Sequence, residues 1–103
     1  MGLLILDLDH FKQINDRFGH PVGDQVLANV GAVLRSTARR RLRRPNGGEE
    51  FAVVLPDTDT SGALTRAERI RASIAQITLP GVDLSITVSI YVAAYPEHAV
   101  SPE

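Results

Sequence analysis

Residues 3–8, Leu-Leu-Ile-Leu-Asp-Leu, make a short and nearly unbroken apolar run. A run of that length suits a strand buried on both faces, and such a strand needs packed layers to cover it. The rest of the chain supplies candidates for those layers. Phe11, Ile14 and Phe18 recur at helical spacing, with Asp9 placed to cap a short helix that Gly19 ends. His20-Pro21 then begins a turn, and a second helix starts near Asp24. Its core-facing stripe is Val26, Leu27, Val30, Val33 and Leu34, and it runs toward Arg40. A third helix, capped by Thr60 or Ser61, carries Ala63, Leu64, Ala67, Ile70 and Ile74 and breaks at Pro80-Gly81.

Between the second and third helices lies Asn46-Gly47-Gly48, flanked by two extended segments. Tight hairpin turns need positive φ, which Asn and Gly adopt cheaply. Pro45 cannot donate to a ladder and so demotes the first arm to a short or edge strand. Residues 52–55 form the second arm, stopped by Pro56-Asp57. Leu84, Ile86, Val88, Ile90 and Val92 alternate with Ser85, Thr87, Ser89 and Tyr91, a period-2 strand. The order β-α-α-β-β-α-β gives an α/β (α+β) sandwich of helices flanking a mixed central β-sheet. With 103 residues the chain has room for one core, so residues 1–103 make a single domain.

Composition narrows the function classes. A 44% apolar and 22% charged chain is an ordinary soluble globular protein. A formal charge of −1 gives no overall field toward nucleic acid or acidic lipid. There is no cysteine, so disulfide and thiolate chemistry are excluded; that fits a reducing, cytoplasmic setting. No apolar run approaches the ~20 residues of a membrane span, so no direct membrane contact is expected. Six of the eleven basic residues, Arg35, Arg39, Arg40, Arg41, Arg43 and Arg44, fall within ten positions. They suit a solvated helix end, or a patch for an anionic nucleotide or partner. No stacking aromatic is interleaved with them, which argues against nucleic acid.

Two acidic features suggest chemistry. Asp7 and Asp9 sit where the first strand gives way to a helix, and strand alternation puts them on one face. Carboxylates at strand ends can hold Mg²⁺, which takes oxygen ligands and substrate phosphates; a turn and capping role is the plainer alternative for Asp7. Glu49 and Glu50 follow the Gly-Gly tip, where acids are ordinarily solvent-exposed. Together, a strand-end Asp and a hairpin-tip Glu suit a metal site built from neighbouring strands. Glycines at the tip let a bulky phosphate approach the backbone.

These residues carry a resemblance. Asp7–Asp24, DLDHFKQINDRFGHPVGD, is similar to the long first signature of the GGDEF family of diguanylate cyclases. Gly47–Phe51 is that family's name-giving motif in its GGEEF form, about 40 residues downstream. Pro56-Asp57-Thr58, residues 67–71 and Thr87–Ile90 also match. The resemblance implies a nucleotidyl-cyclase or polymerase-palm-like fold. It implies condensation of two GTP into cyclic di-GMP with release of two pyrophosphates, in bacterial second-messenger signalling. On that pattern Asp7 and Glu49 bind Mg²⁺ by side chain and Leu8 by its carbonyl. Lys12 contacts the triphosphate, while Asn15 and Asp24 read the guanine edge. His20 lies close to the nucleotide, with a turn histidine as the alternative. Glu49 also helps activate the ribose 3′-hydroxyl, Glu50 supports the site, and Gly47 and Gly48 line it. Phe11, Ile14, Phe18 and Phe51 belong to the core. Each domain holds one GTP, so turnover requires a homodimer, and the parent protein is expected to add sensory or regulatory domains.

The chain departs from the family in four places. It begins at the first strand, without the preceding Asp-x-Leu-Thr segment, and stops soon after Tyr95, before the last helix and strand. Tyr91 stands where a glycine is usual, and Pro45-Asn46 replaces an Arg-aromatic pair. The inhibitory Arg-x-x-Asp positions are occupied by Ala38 and Arg41, so that site is expected to be lost. A core lacking both terminal segments is expected to turn over poorly and to self-associate through an open sheet edge. The alternative reading is a degenerate GGDEF module that binds GTP, or acts as a regulatory or dimerisation domain, without turnover.

Overall fold

The structure, a computed structural model, describes residues 1–37, 40–43 and 50–95. Its elements are β1 (Gly2–Leu8), α1 (Phe11–Phe18), α2 (His20–Thr37), β2 (Arg40–Arg43), β3 (Glu50–Leu55), α3 (Thr60–Ala75) and β4 (Val88–Ala94). The expected order β-α-α-β-β-α-β is therefore present. The hairpin tip (Pro45, Asn46, Gly47, Gly48, Glu49), with Ala38, Arg39, Arg44 and the chain after Tyr95, lies outside the described residues.

The sheet has the order β2-β3-β1-β4. Strand direction differs from the mixed sheet expected: β1 runs antiparallel to both β3 and β4, and β2 antiparallel to β3. The helical crossovers do bring strands back in the same direction, but never side by side. β1 separates β3 from β4, and β3 separates β2 from β1, so the β3-α3-β4 unit is a split crossover. β2 is short and lies at the edge, as Pro45 predicts.

β1 is covered on one face, not two. Leu4, Leu6 and Leu8 are buried, while Leu3, Ile5 and Asp7 are half-buried. The core joins those three leucines to Phe51, Val53 and Leu55 of β3 and Val88 of β4. Onto the same face pack Ile14 of α1, Val26, Val30 and Leu34 of α2, and Ala63, Ala67, Ile70 and Ile74 of α3. All three helices thus spend their apolar stripes on one side. Phe11 and Phe18 are partly buried against this core. Leu64, grouped with the α3 stripe by spacing, is instead 52% exposed.

Helix ends depart from the local patterns in an informative way. α2 begins at His20, not near Asp24, because proline is compatible with a first helical turn and Gly23 N–H already bonds Gly19 C=O at 3.2 Å. Gly19 makes the break, with φ of 94°. α3 is capped by Asp59, one residue earlier than Thr60, its carboxylate accepting from Gly62 N–H at 2.8 Å. On the outer face of α3, Arg71 donates to Glu68 at 2.6 Å, and that bond holds the Glu68 carboxyl below its usual range. Stability from this pair is lost as pH falls through the lowered value, and full exposure keeps it small.

α1 is the sharpest case. Asp9 does not cap it. The N-cap is His10, in left-handed geometry (φ 59°), and no side chain caps the helix. The Asp9 carboxylate instead accepts hydrogen bonds from Thr87 Oγ1 and Ser89 Oγ, both at 2.8 Å. Asp9 N–H also donates to Thr87 C=O at 3.0 Å. Asp9 therefore ties the start of α1 to the start of β4. Asp9→Ala is expected to lower stability by about 1–2 kcal/mol, measurable by urea unfolding, where a solvent-facing carboxylate without partners would show almost no change.

β4 starts four residues later than the alternation suggests, at Val88 instead of Leu84. Leu8 is the last residue of β1 and pairs with Val88, so residues 84–87 have no strand beside them. Their alternation persists in burial alone: Ile86 is 1% exposed, while Ser85 and Thr87 face solvent.

Candidate functional site

The candidate residues gather at one end of the sheet and around the α1–α2 corner. Asp7, in the last turn of the β1 pleat, is half-buried on the face without helices. In register it lies opposite Glu50 of β3 on one side and Ser89 of β4 on the other. Directly opposed residues on adjacent strands project to the same face, so Asp7 and Glu50 present two carboxylates together. Glu49, Gly47 and Gly48 lie outside the described residues. Among the described residues there is no group of three or more His, Cys, Asp or Glu side chains that could hold a metal.

Leu8 follows Asp7 and buries its side chain, and the chain turns through Asp9 and His10 into α1. The N-terminus of α1, with no side-chain cap, opens two residues beyond the end of β1. A helix start of this kind offers N–H groups and a positive dipole end to an anion. Lys12 is exposed in that first turn. Asn15, three residues on, shares its side of the helix.

α1 and α2 pack against each other across the Gly19 corner. His20 and Asp24 are exposed and four apart on α2, hence on one face. Asn15 lies between the two helices. Its Oδ1 is buried and finds no hydrogen-bond partner among the described residues. A buried acceptor left unpaired costs free energy, and an orphan of this kind is expected where a ligand supplies the donor.

A cleft lies on the other side of α1. It measures about 330 Å³ between Asp9, His10, Gln13 and Arg17 and the Asp83–Thr87 segment, and none of Asp7, Leu8, Lys12, Asn15, His20, Asp24 or Glu50 lines it. Sequence reading missed Asp9, Thr87 and Ser89 as a structural unit beside the site. The signal was present in Asp7-x-Asp9 and Thr87-x-Ser89, whose alternation puts each pair on one strand face.

An antiparallel sheet with helices on one face is consistent with the palm-like fold that the sequence resemblance implies. The sequence matches the family described as "Diguanylate cyclase, GGDEF domain" across residues 1–103, and the chain belongs to that family. It is 41% identical over 105 residues to "Probable diguanylate cyclase DgcT" of Escherichia coli, covering 97% of this chain and 23% of the relative. It is also 41% identical over 108 residues to "Response regulator PleD" of Caulobacter vibrioides, covering 100% of this chain and 24% of the relative. The GGDEF domain of YfiN (TpbB) from Pseudomonas aeruginosa superposes with a TM-score of 0.82 at 42% identity, covering 95% of this chain and 63% of that one. The chain thus spans about a quarter of the length of the curated relatives it matches.

Proposed function

We propose that this chain is the core of a diguanylate cyclase, condensing two GTP into cyclic di-GMP and two pyrophosphates. The observation that carries the reading is the direct pairing of Asp7 with Glu50 beside the uncapped start of α1. Hard carboxylate oxygens opposed across a strand pair suit a hard divalent cation, which also relieves their mutual repulsion. Asp7, the Leu8 carbonyl and Glu49 would hold Mg²⁺, with Glu50 in support. When bound, that ion supplies charge neutralisation at the triphosphate.

The remaining roles belong to side chains of the chain itself. Lys12 and the first N–H groups of α1 bind phosphate oxygens. Asn15 and Asp24 fix the base: an amide acceptor and a carboxylate match guanine's N1–H and N2–H₂ donors, where adenine has an acceptor at N1 and no amino group at C2. His20, on the Asp24 face of α2, borders the nucleotide. Glu49 helps draw the proton from the ribose 3′-hydroxyl. The ribose 3′-oxygen then forms a bond to the α-phosphorus of the second GTP, and the bond to the pyrophosphate leaving group breaks. One domain supplies one GTP, so two copies must face each other.

A second reading is a GGDEF module that binds GTP without turnover. It is favoured by Tyr91, 67% exposed on the same sheet face as Asp7, where the family usually has glycine. Incubation with GTP and Mg²⁺ at several protein concentrations separates the two. The cyclase reading expects cyclic di-GMP, with a rate per protein that rises with concentration as dimers form. GTP binding with no product at any concentration would leave the binding module.

A further inference from the structure

We infer that Gly23 is a positioning residue for base selection: it keeps open the space that the Asn15 carboxamide occupies. The inference rests on the reading of Asn15 as the guanine contact and adds a second residue to it. Gly23 is buried in the first turns of α2. A Cβ there would overlap Asn15 Oδ1, and it would stand 3.0 Å from Asn15 Cγ and 3.3 Å from Phe11 Cζ. The atom it would displace is the same buried acceptor that has no partner among the described residues.

Conformation does not explain this glycine. Among the described residues the glycines with positive φ are Gly19 and Gly81; Gly23 lies within helix α2. Glycine is among the poorest helix formers, so at a helical position it is disfavoured unless the missing side chain matters. Here the missing methyl matters because α1 and α2 meet at that point. The Asn15 carboxamide oxygen then occupies the space that a side chain at position 23 would fill. A methyl group would force the carboxamide to rotate away, although the helices could still pack, since the displaced atoms end a flexible side chain. Base selection would then fall while the fold survives.

The test compares wild type, Gly23→Ala, Asn15→Ala and the double variant by calorimetric titration with GTP and with ATP, alongside thermal unfolding. The expected result is a wild-type preference for GTP that falls roughly 10-fold or more in each single variant, with no further fall in the double variant. The Gly23→Ala thermal midpoint should rise when Asn15 is also shortened, because the overlapping group is gone. Gly23→Ala with the wild-type preference, while Asn15→Ala loses it, overturns the inference and leaves the Asn15 reading standing. Asn15→Ala with the wild-type preference, or no preference in the wild type, overturns the Asn15 reading and the inference with it. If Gly23→Ala alone does not fold, recovery of folding in the double variant supports the overlap, and failure to recover overturns it.

Discussion

Glu49→Ala is expected to reduce cyclic di-GMP formation by on the order of 10²–10³-fold while leaving the circular dichroism spectrum unchanged. The large effect follows from where charge develops: a carboxylate that orders a cation and helps deprotonate the attacking hydroxyl acts in the transition state. The unchanged fold is expected because an acid beside a Gly-Gly tip is ordinarily solvent-exposed, while the β3 core residues Phe51, Val53 and Leu55 are kept in the variant. Glu50→Ala is the informative companion. The family resemblance gives the ligand role to Glu49, whereas the strand register puts Glu50 opposite Asp7. Glu50→Ala should therefore weaken turnover by a smaller factor. If Glu50→Ala is the near-dead variant and Glu49→Ala remains active, the two roles are exchanged.

That ambiguity shows what the sequence could carry. Asp7 was legible because a carboxylate at the end of an apolar run is conspicuous. Which of two adjacent glutamates shares its face was not, since a shift of one residue in pairing reverses every side chain. Repeating local patterns were read mostly correctly: Val26, Val30 and Leu34 of the α2 stripe and Ala63, Ala67, Ile70 and Ile74 of the α3 stripe are buried, Leu27 and Val33 are partly buried, and Leu64 is 52% exposed. Two of the misreadings have a common cause, which is a partner distant in the chain. Asp9 resembles a helix cap locally, but Thr87 and Ser89, 78 and 80 residues away, take its carboxylate. Residues 84–87 alternate like a strand, but β1 ends at Leu8 and leaves them nothing to pair with. Gly23 looked like one glycine of a signature until Asn15 Oδ1 was seen beside it.

Leu6→Ala should cost about 3–4 kcal/mol, and Ile5→Ala, one residue away on the same strand, less than half of that. The difference tests whether β1 is covered on one face or on both. Leu6 is fully buried at the centre of the sheet, opposite Phe51 and Ile90, and all three helices lie on its side. Removing its isobutyl group loses the transfer free energy and leaves a cavity that a close-packed core cannot readily collapse. Ile5 points the other way, half-buried between Ala52 and Tyr91, where water can reoccupy the space and no cavity forms. A domain of this size is stable by only about 5–15 kcal/mol, so Leu6→Ala takes a large share of the total and should be plain in urea unfolding. The six-residue apolar run that first suggested a strand buried on both faces predicts equal costs at positions 5 and 6. Equal costs in urea would mean that the Ile5 face is covered in solution, and the one-sided packing described here would be wrong.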